Sequence, residues 1–93
     1  MRSQVYNAVV SAISNTQSAS GRSGSVSGST RPMRDLNGFD SLNAVEASCH
    51  FSASLGSEIP GDVGLFFNSS GEPRTVDEIV DAVCGILQKQ ESA

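Results

Sequence analysis

The chain contains no tryptophan, one tyrosine and four phenylalanines in 93 residues. Its core must rest on Val, Ile, Leu, Phe and Ala, and will be thin. Hydrophobic residues make up 38% of the total, below the usual globular share. Basic residues are scarce: six Lys and Arg stand against ten Asp and Glu, for a net charge of -4. That balance argues against nucleic acid as a partner, because little here would neutralise a phosphate backbone. It suits docking to a basic protein surface. No apolar run approaches the roughly 20 residues that span a bilayer, so no membrane partner is expected. The opening residues, Met1-Arg2-Ser3-Gln4-Val5-Tyr6-Asn7, lack the basic start and apolar stretch of a signal peptide. The two cysteines, Cys49 and Cys84, each fall in a helical apolar pattern. They read as buried, reduced thiols of a cytoplasmic protein. With a single histidine they are too few and too scattered for a zinc site.

The length fits one small domain over residues 1–93. Residues 3–15 read as a first helix, with Val5, Tyr6, Val9, Val10 and Ile13 on one face and Ser3 as its cap. Residues 16–32 are rich in Ser and Gly and read as a long mobile loop. Val26 is its one apolar anchor, and Met33 and Leu36 bring the chain back to the core. Residues 41–55 read as a second helix that Gly56 stops. Leu42, Val45, Cys49 and Ala53 make its core stripe, widened by Phe51 and Leu55. A turn over residues 58–62 follows, anchored by Ile59. Val63, Leu65, Phe66 and Phe67 form a short apolar patch, either one helical turn or an ordered loop. Residues 75–88 read as the last helix. Thr75 and Glu78 fit a capping box, and Val76, Ile79, Val80, Val83 and Leu87 repeat at helical spacing. Gly85 weakens that helix, and close packing is one reason for it. Residues 90–93 read as a frayed tail. No segment alternates like a strand. The expected fold is all-α: a small up-and-down four-helix bundle of three main helices and one short third helix, with a long first loop.

The most informative stretch is Gly38-Phe39-Asp40-Ser41-Leu42-Asn43-Ala44-Val45-Glu46. Ser41 stands where a loop ends and an amphipathic helix begins. A serine there either caps the helix or offers an exposed hydroxyl for attachment of an anionic group. The order of elements resembles the acyl carrier protein family. Asp40-Ser41-Leu42 stands at the start of the second helix, as that family's motif does. Asp35-Leu36 precedes it, Val45-Glu46 continues it, and Glu58-Ile59-Pro60 and Thr75-Val76 match later landmarks. The likeness runs from about Val5 to Leu87 and is weakest in the Ser/Gly-rich loop.

That resemblance implies a function. Ser41 would carry 4′-phosphopantetheine, attached by a phosphopantetheinyl transferase, and the arm would hold an acyl group as a thioester. Asp40 would help position magnesium and the hydroxyl during modification. Leu42 would both pack locally and touch partners. Asp35, Val45, Glu46 and Ile59 would meet acyl-loading, condensing or acyl-transferring enzymes with basic docking surfaces. The carrier would be a cytoplasmic monomer of a fatty-acid, modified-lipid or polyketide pathway, and not an enzyme. A peptidyl or aryl carrier of nonribosomal synthesis and an unmodified helical interaction module are the alternatives. Family members carry several acids along the second helix, whereas residues 47–54 here have none. This departure suggests dedicated partners. His50 reads as an exposed or half-buried helix histidine, with a pH-sensitive contact to the arm or a partner as the alternative; no catalytic serine pattern accompanies it, so a hydrolase triad is not supported.

Overall fold

Three long helices carry the fold. The computed structural model describes residues 2–19, 21, 26–36, 38–56, 59 and 63–92. Helix α1 is Arg2–Ala19, α2 is Pro32–Asp35, α3 is Ser41–Leu55 and α4 is Val76–Ser92, with a 3-10 turn at Val63–Phe66. No strand occurs among the described residues, only an isolated bridge between Phe67 and Pro73. The result is a small all-α bundle. Helix α1 packs on both α3 and α4, and the 3-10 turn touches α3 and α4. Val5, Val9 and Ile13 of α1 meet Phe51, Phe66, Ile79, Val80 and Val83 in one buried cluster. No helix among the described residues is long and apolar enough to cross a membrane.

Helix α1 outruns its expected end at residue 15. Thr16 and Gln17 are buried on the same face as Val9 and Ile13. The Thr16 hydroxyl donates to the Ala12 carbonyl at 2.8 Å, which lets a polar residue sit inside. The expected loop is shortened from its other end too. Val26 is half-buried against the core, as the sequence suggested. The Thr30 carbonyl accepts the Val76 N–H at 2.8 Å, and the Gly28 carbonyl accepts the Asp77 N–H at 3.0 Å. Arg31 donates to the Pro73 carbonyl and pairs with the Glu78 carboxylate at 3.5 Å. Residues 26–31 thus form a strap across the start of α4. Ser20 and residues 22–25 of the expected loop lie outside the described residues, as do 57–58, 60–62 and 93.

The strap completes a capping arrangement that the sequence showed only in part. The Thr75 N–H donates to Glu78 Oε1 at 2.9 Å, and the Glu78 N–H donates to Thr75 Oγ1 at 3.1 Å. With the two strap carbonyls, the N–H groups of residues 75–78 all have partners, where a helix start normally leaves such donors open. The bond from the Thr75 N–H chiefly holds the Glu78 carboxyl below the ordinary glutamate range, and the Arg31 charge adds to this. Helix α4 continues to Ser92, beyond the point where fraying was expected. The packing explanation for Gly85 fails, because a Cβ built there meets nothing within 4 Å. Gly85→Ala should therefore stabilise the protein by about 1 kcal/mol, the propensity difference alone. Urea unfolding of the variant measures it.

The largest correction concerns α3. Its buried residues are Asn43, Ala44, Ala47, Ser48 and Phe51. The stripe expected in the core faces outward instead: Leu42, Cys49 and Ala53 are exposed and Val45 is only half-buried. Cys49 is therefore not a buried thiol, while Cys84 is half-buried beside the core. The physical reason is size. Ala44, Ala47 and Ser48 are fully enclosed, so α1 packs against small side chains. The Ser48 hydroxyl donates to the Ala44 carbonyl at 2.9 Å, which removes the penalty of burying it. Gly56 ends the helix as expected, with φ 65° and its N–H on the Ala53 carbonyl.

Candidate functional site

The approach to Ser41 is held by two buried side chains. Leu36 and Phe39 are both in the core. Between them the chain turns back, with the Phe39 N–H on the Leu36 carbonyl at 3.3 Å and Gly38 at φ 73°. That backbone conformation strains any residue with a Cβ, so glycine is required at 38. The Phe39 ring lies 5.8 Å from the Phe66 ring, tilted by 41°. The 3-10 turn therefore supports the loop that leads into the site.

Asp40, and not Ser41, caps α3. Asp40 has extended backbone angles, φ -115° and ψ -172°. Its Oδ1 accepts the Asn43 N–H at 3.1 Å, and Asn43 Oδ1 accepts the Asp40 N–H at 3.2 Å. This is a reciprocal capping box. The cap reading of Ser41 is thereby set aside: Ser41 is the first residue inside the helix and is exposed. Among the described residues its hydroxyl has no hydrogen-bond partner, and neither do the N–H groups of Ser41 and Leu42. Helix α3 thus begins with two open amides next to an open hydroxyl, while α4 begins with its donors satisfied. The positive end of the helix dipole lies there, and α3 has no acid inside its first turn.

Asn43 was missed as a site residue. Its signal was legible, since a capping residue followed three positions on by a side-chain acceptor is the box pattern. Asn43→Ala removes the acceptor for the Asp40 N–H and should cost about 1 kcal/mol of stability. Chemical denaturation checks this, and an unchanged midpoint would remove the box from the account.

The residues expected to face partners separate on inspection. Leu42 is 67% exposed, a large apolar side chain left in solvent. Glu46 is exposed and in no ion pair among the described residues, and His50 is exposed on the next turn. Val45 is half-buried. Asp35 is exposed, but it accepts the Arg31 N–H at 2.9 Å and Arg34 Nε at 3.0 Å. The Arg31 bond chiefly, then the Arg34 bond, lowers its pKa. Ile59 departs from expectation. It is 4% exposed and belongs to the core, and its carbonyl accepts the Ser52 hydroxyl at 3.3 Å. An apolar side chain in an otherwise polar turn is drawn inward, which removes it from the contact surface.

No group of three or more His, Cys, Asp or Glu residues is placed to hold a metal among the described residues. Comparison with protein-family models, with curated proteins and with solved structures gave no match. The chemistry must be read from the site itself. An exposed hydroxyl flanked by open amides at a helix start suits a covalently attached, anionic group.

Proposed function

We propose that the chain is a carrier protein of the acyl carrier type, modified at Ser41 with 4′-phosphopantetheine. One observation carries the reading: Ser41 lies exposed at the first position of α3, its hydroxyl unpartnered among the described residues, because Asp40 and Asn43 do the capping. The sequence resemblance and the order of helices support it. In this reading the short Val63–Phe66 turn is the third helix of an up-and-down carrier bundle, and α4 is its last.

Each residue then has a task. Ser41 Oγ accepts the group. The Oγ–P bond forms as coenzyme A loses 3′,5′-adenosine diphosphate, and the hydroxyl proton passes to a base of the transferase. The open N–H groups of Ser41 and Leu42 favour the negative phosphodiester beside them. One carboxylate oxygen of Asp40 is engaged by Asn43, which leaves the other for a magnesium ion brought with coenzyme A. The bound arm supplies a thiol that holds an acyl group as a thioester. Leu42, Val45 and Glu46 lie along the helix that any enzyme serving this site approaches. The pathway class is a fatty-acid, modified-lipid or polyketide route, and the transferase and the acyl-handling enzymes are the partners.

Intact-protein mass after incubation with coenzyme A, magnesium and a broad-specificity transferase tests the reading. A gain of one phosphopantetheine at Ser41 is the expected result. No gain with any transferase would leave an unmodified interaction module as the better reading.

A further inference from the structure

Among the described residues, Arg2, Arg31 and Arg34 each pair with an acid of the chain, and Arg74 pairs with none. Arg74 is nevertheless half-buried. A guanidinium partly withdrawn from water gains from an anion, and the chain places none within ion-pair distance of this one. Arg74 lines a cleft of about 380 Å³ together with Asn68, Glu78, Asp81 and Ala82. That size suits a small ligand.

The walls of the cleft are held in place. The Arg74 N–H donates to the Phe66 carbonyl at 2.8 Å, and the Asn68 N–H donates to the Glu72 carbonyl at 2.9 Å. Asn68 Oδ1 accepts the Ser70 N–H at 2.9 Å and the Glu72 N–H at 3.0 Å. Two donors on one atom identify it as the oxygen, so the amide nitrogen is the group left over. Asn68 Nδ2 has no partner among the described residues. The cleft lining thus holds a charged donor and a neutral donor, both unengaged.

It also holds acceptors. Glu78 Oε1 takes the Thr75 N–H and lies 3.5 Å from Arg31, and Asp81 Oδ1 takes Arg2. Each carboxylate keeps its second oxygen unengaged. A simple anion, above all a doubly charged phosphate, would meet repulsion from two carboxylates, and a simple amine would meet it from Arg74. A ligand with both charges suits all of these groups. Ala82 adds a small apolar wall that matches a short side chain.

We propose that this cleft binds a small zwitterion, an α-amino acid with a short side chain. Its carboxylate lies on Arg74 and Asn68 Nδ2, and its ammonium on Glu78 and Asp81. The cleft shares no residue with the Ser41 site, and the inference does not rest on the carrier reading. Because the cleft is open to water, binding is in the millimolar range.

The test is an NMR titration of the isotope-labelled full chain with L-alanine, with acetate, methylamine and inorganic phosphate in separate arms. L-Alanine should shift the Asn68 side-chain amide and the backbone amides of Arg74, Glu78 and Ala82, with a Kd of about 1 mM. Acetate and methylamine should each bind about tenfold more weakly, because each engages half of the cleft. Arg74→Gln should weaken L-alanine about tenfold, with an unchanged unfolding midpoint. Asp81→Asn should weaken L-alanine and leave acetate no weaker. Should Arg74→Gln fail to fold, Arg74→Lys keeps the charge without the planar fork and should weaken L-alanine severalfold. Acetate binding as well as L-alanine, or phosphate binding more tightly, overturns the zwitterion assignment. Shifts that survive both Arg74 variants, or no saturable shift up to about 50 mM, overturn the site itself.

Discussion

Ser41→Ala is expected to abolish the mass gain that the carrier reading predicts from coenzyme A, and to leave the unfolding curve where it was. Both halves of that result follow from the division of labour at the start of α3. The modification half is all-or-none, because alanine has no oxygen to accept the phosphoryl group. The stability half is the more discriminating. A serine that caps a helix costs about 1 kcal/mol when changed to alanine. Here the box bonds run between Asp40 and Asn43, and the Ser41 side chain contributes neither. Ser41 is exposed, so no cavity forms either. Alanine is also the better helix former. The pair of measurements is intact mass after incubation with the transferase, and urea denaturation followed by circular dichroism. A midpoint lowered by the equivalent of 1 kcal/mol or more would mean that Ser41 is structural after all.

Phe66→Ala has the largest expected effect on stability. Phe66 has no solvent exposure and sits in the 3-10 turn that touches both α3 and α4. Removing a buried phenylalanine side chain typically costs about 3–5 kcal/mol, part transfer and part cavity. A chain of 93 residues with no tryptophan has little reserve against such a loss. The ring also faces Phe39, two residues before Ser41. The variant should therefore be largely unfolded or strongly destabilised in urea titration, and Phe66→Leu should recover most of the loss. A loss below about 1 kcal/mol would mean that the turn is not part of the core.

Two helix ends were legible because their signals are local, while the far ends of α1 and α4 were read too short. The Thr75–Glu78 box and the Gly56 stop stand in the sequence as residue types at fixed spacing, and both occur as read. The inward face of α3 was not legible. Period alone could not choose between its two apolar faces. The choice fell to Ala44, Ala47 and Ser48, whose small size admits a neighbouring helix where Leu42 and Val45 would hold it off. The strap was hidden for a different reason. It works through the Gly28 and Thr30 carbonyls, and every residue type has a carbonyl. A Ser/Gly-rich composition gave no hint that residues 28 and 30 meet residues 76 and 77. Thr16 and Gln17 read as loop on polarity, and both are buried on α1. At the site, position was legible and function within the cap was not. Ser41 stood out as the residue to watch, but only the bonds between Asp40 and Asn43 separate a cap from an acceptor.

The two faces of α3 have a consequence for how such a chain can diverge. Positions 44, 47 and 48 are constrained by volume, since a larger side chain there would push α1 away. Positions 42 and 49 lie exposed on the other side and carry almost no folding constraint. If the carrier reading holds, drift on the outer face would therefore alter the proteins that meet Ser41 while the bundle stays as it is. In that reading, recognition and stability would occupy the same fifteen residues but answer to separate selection.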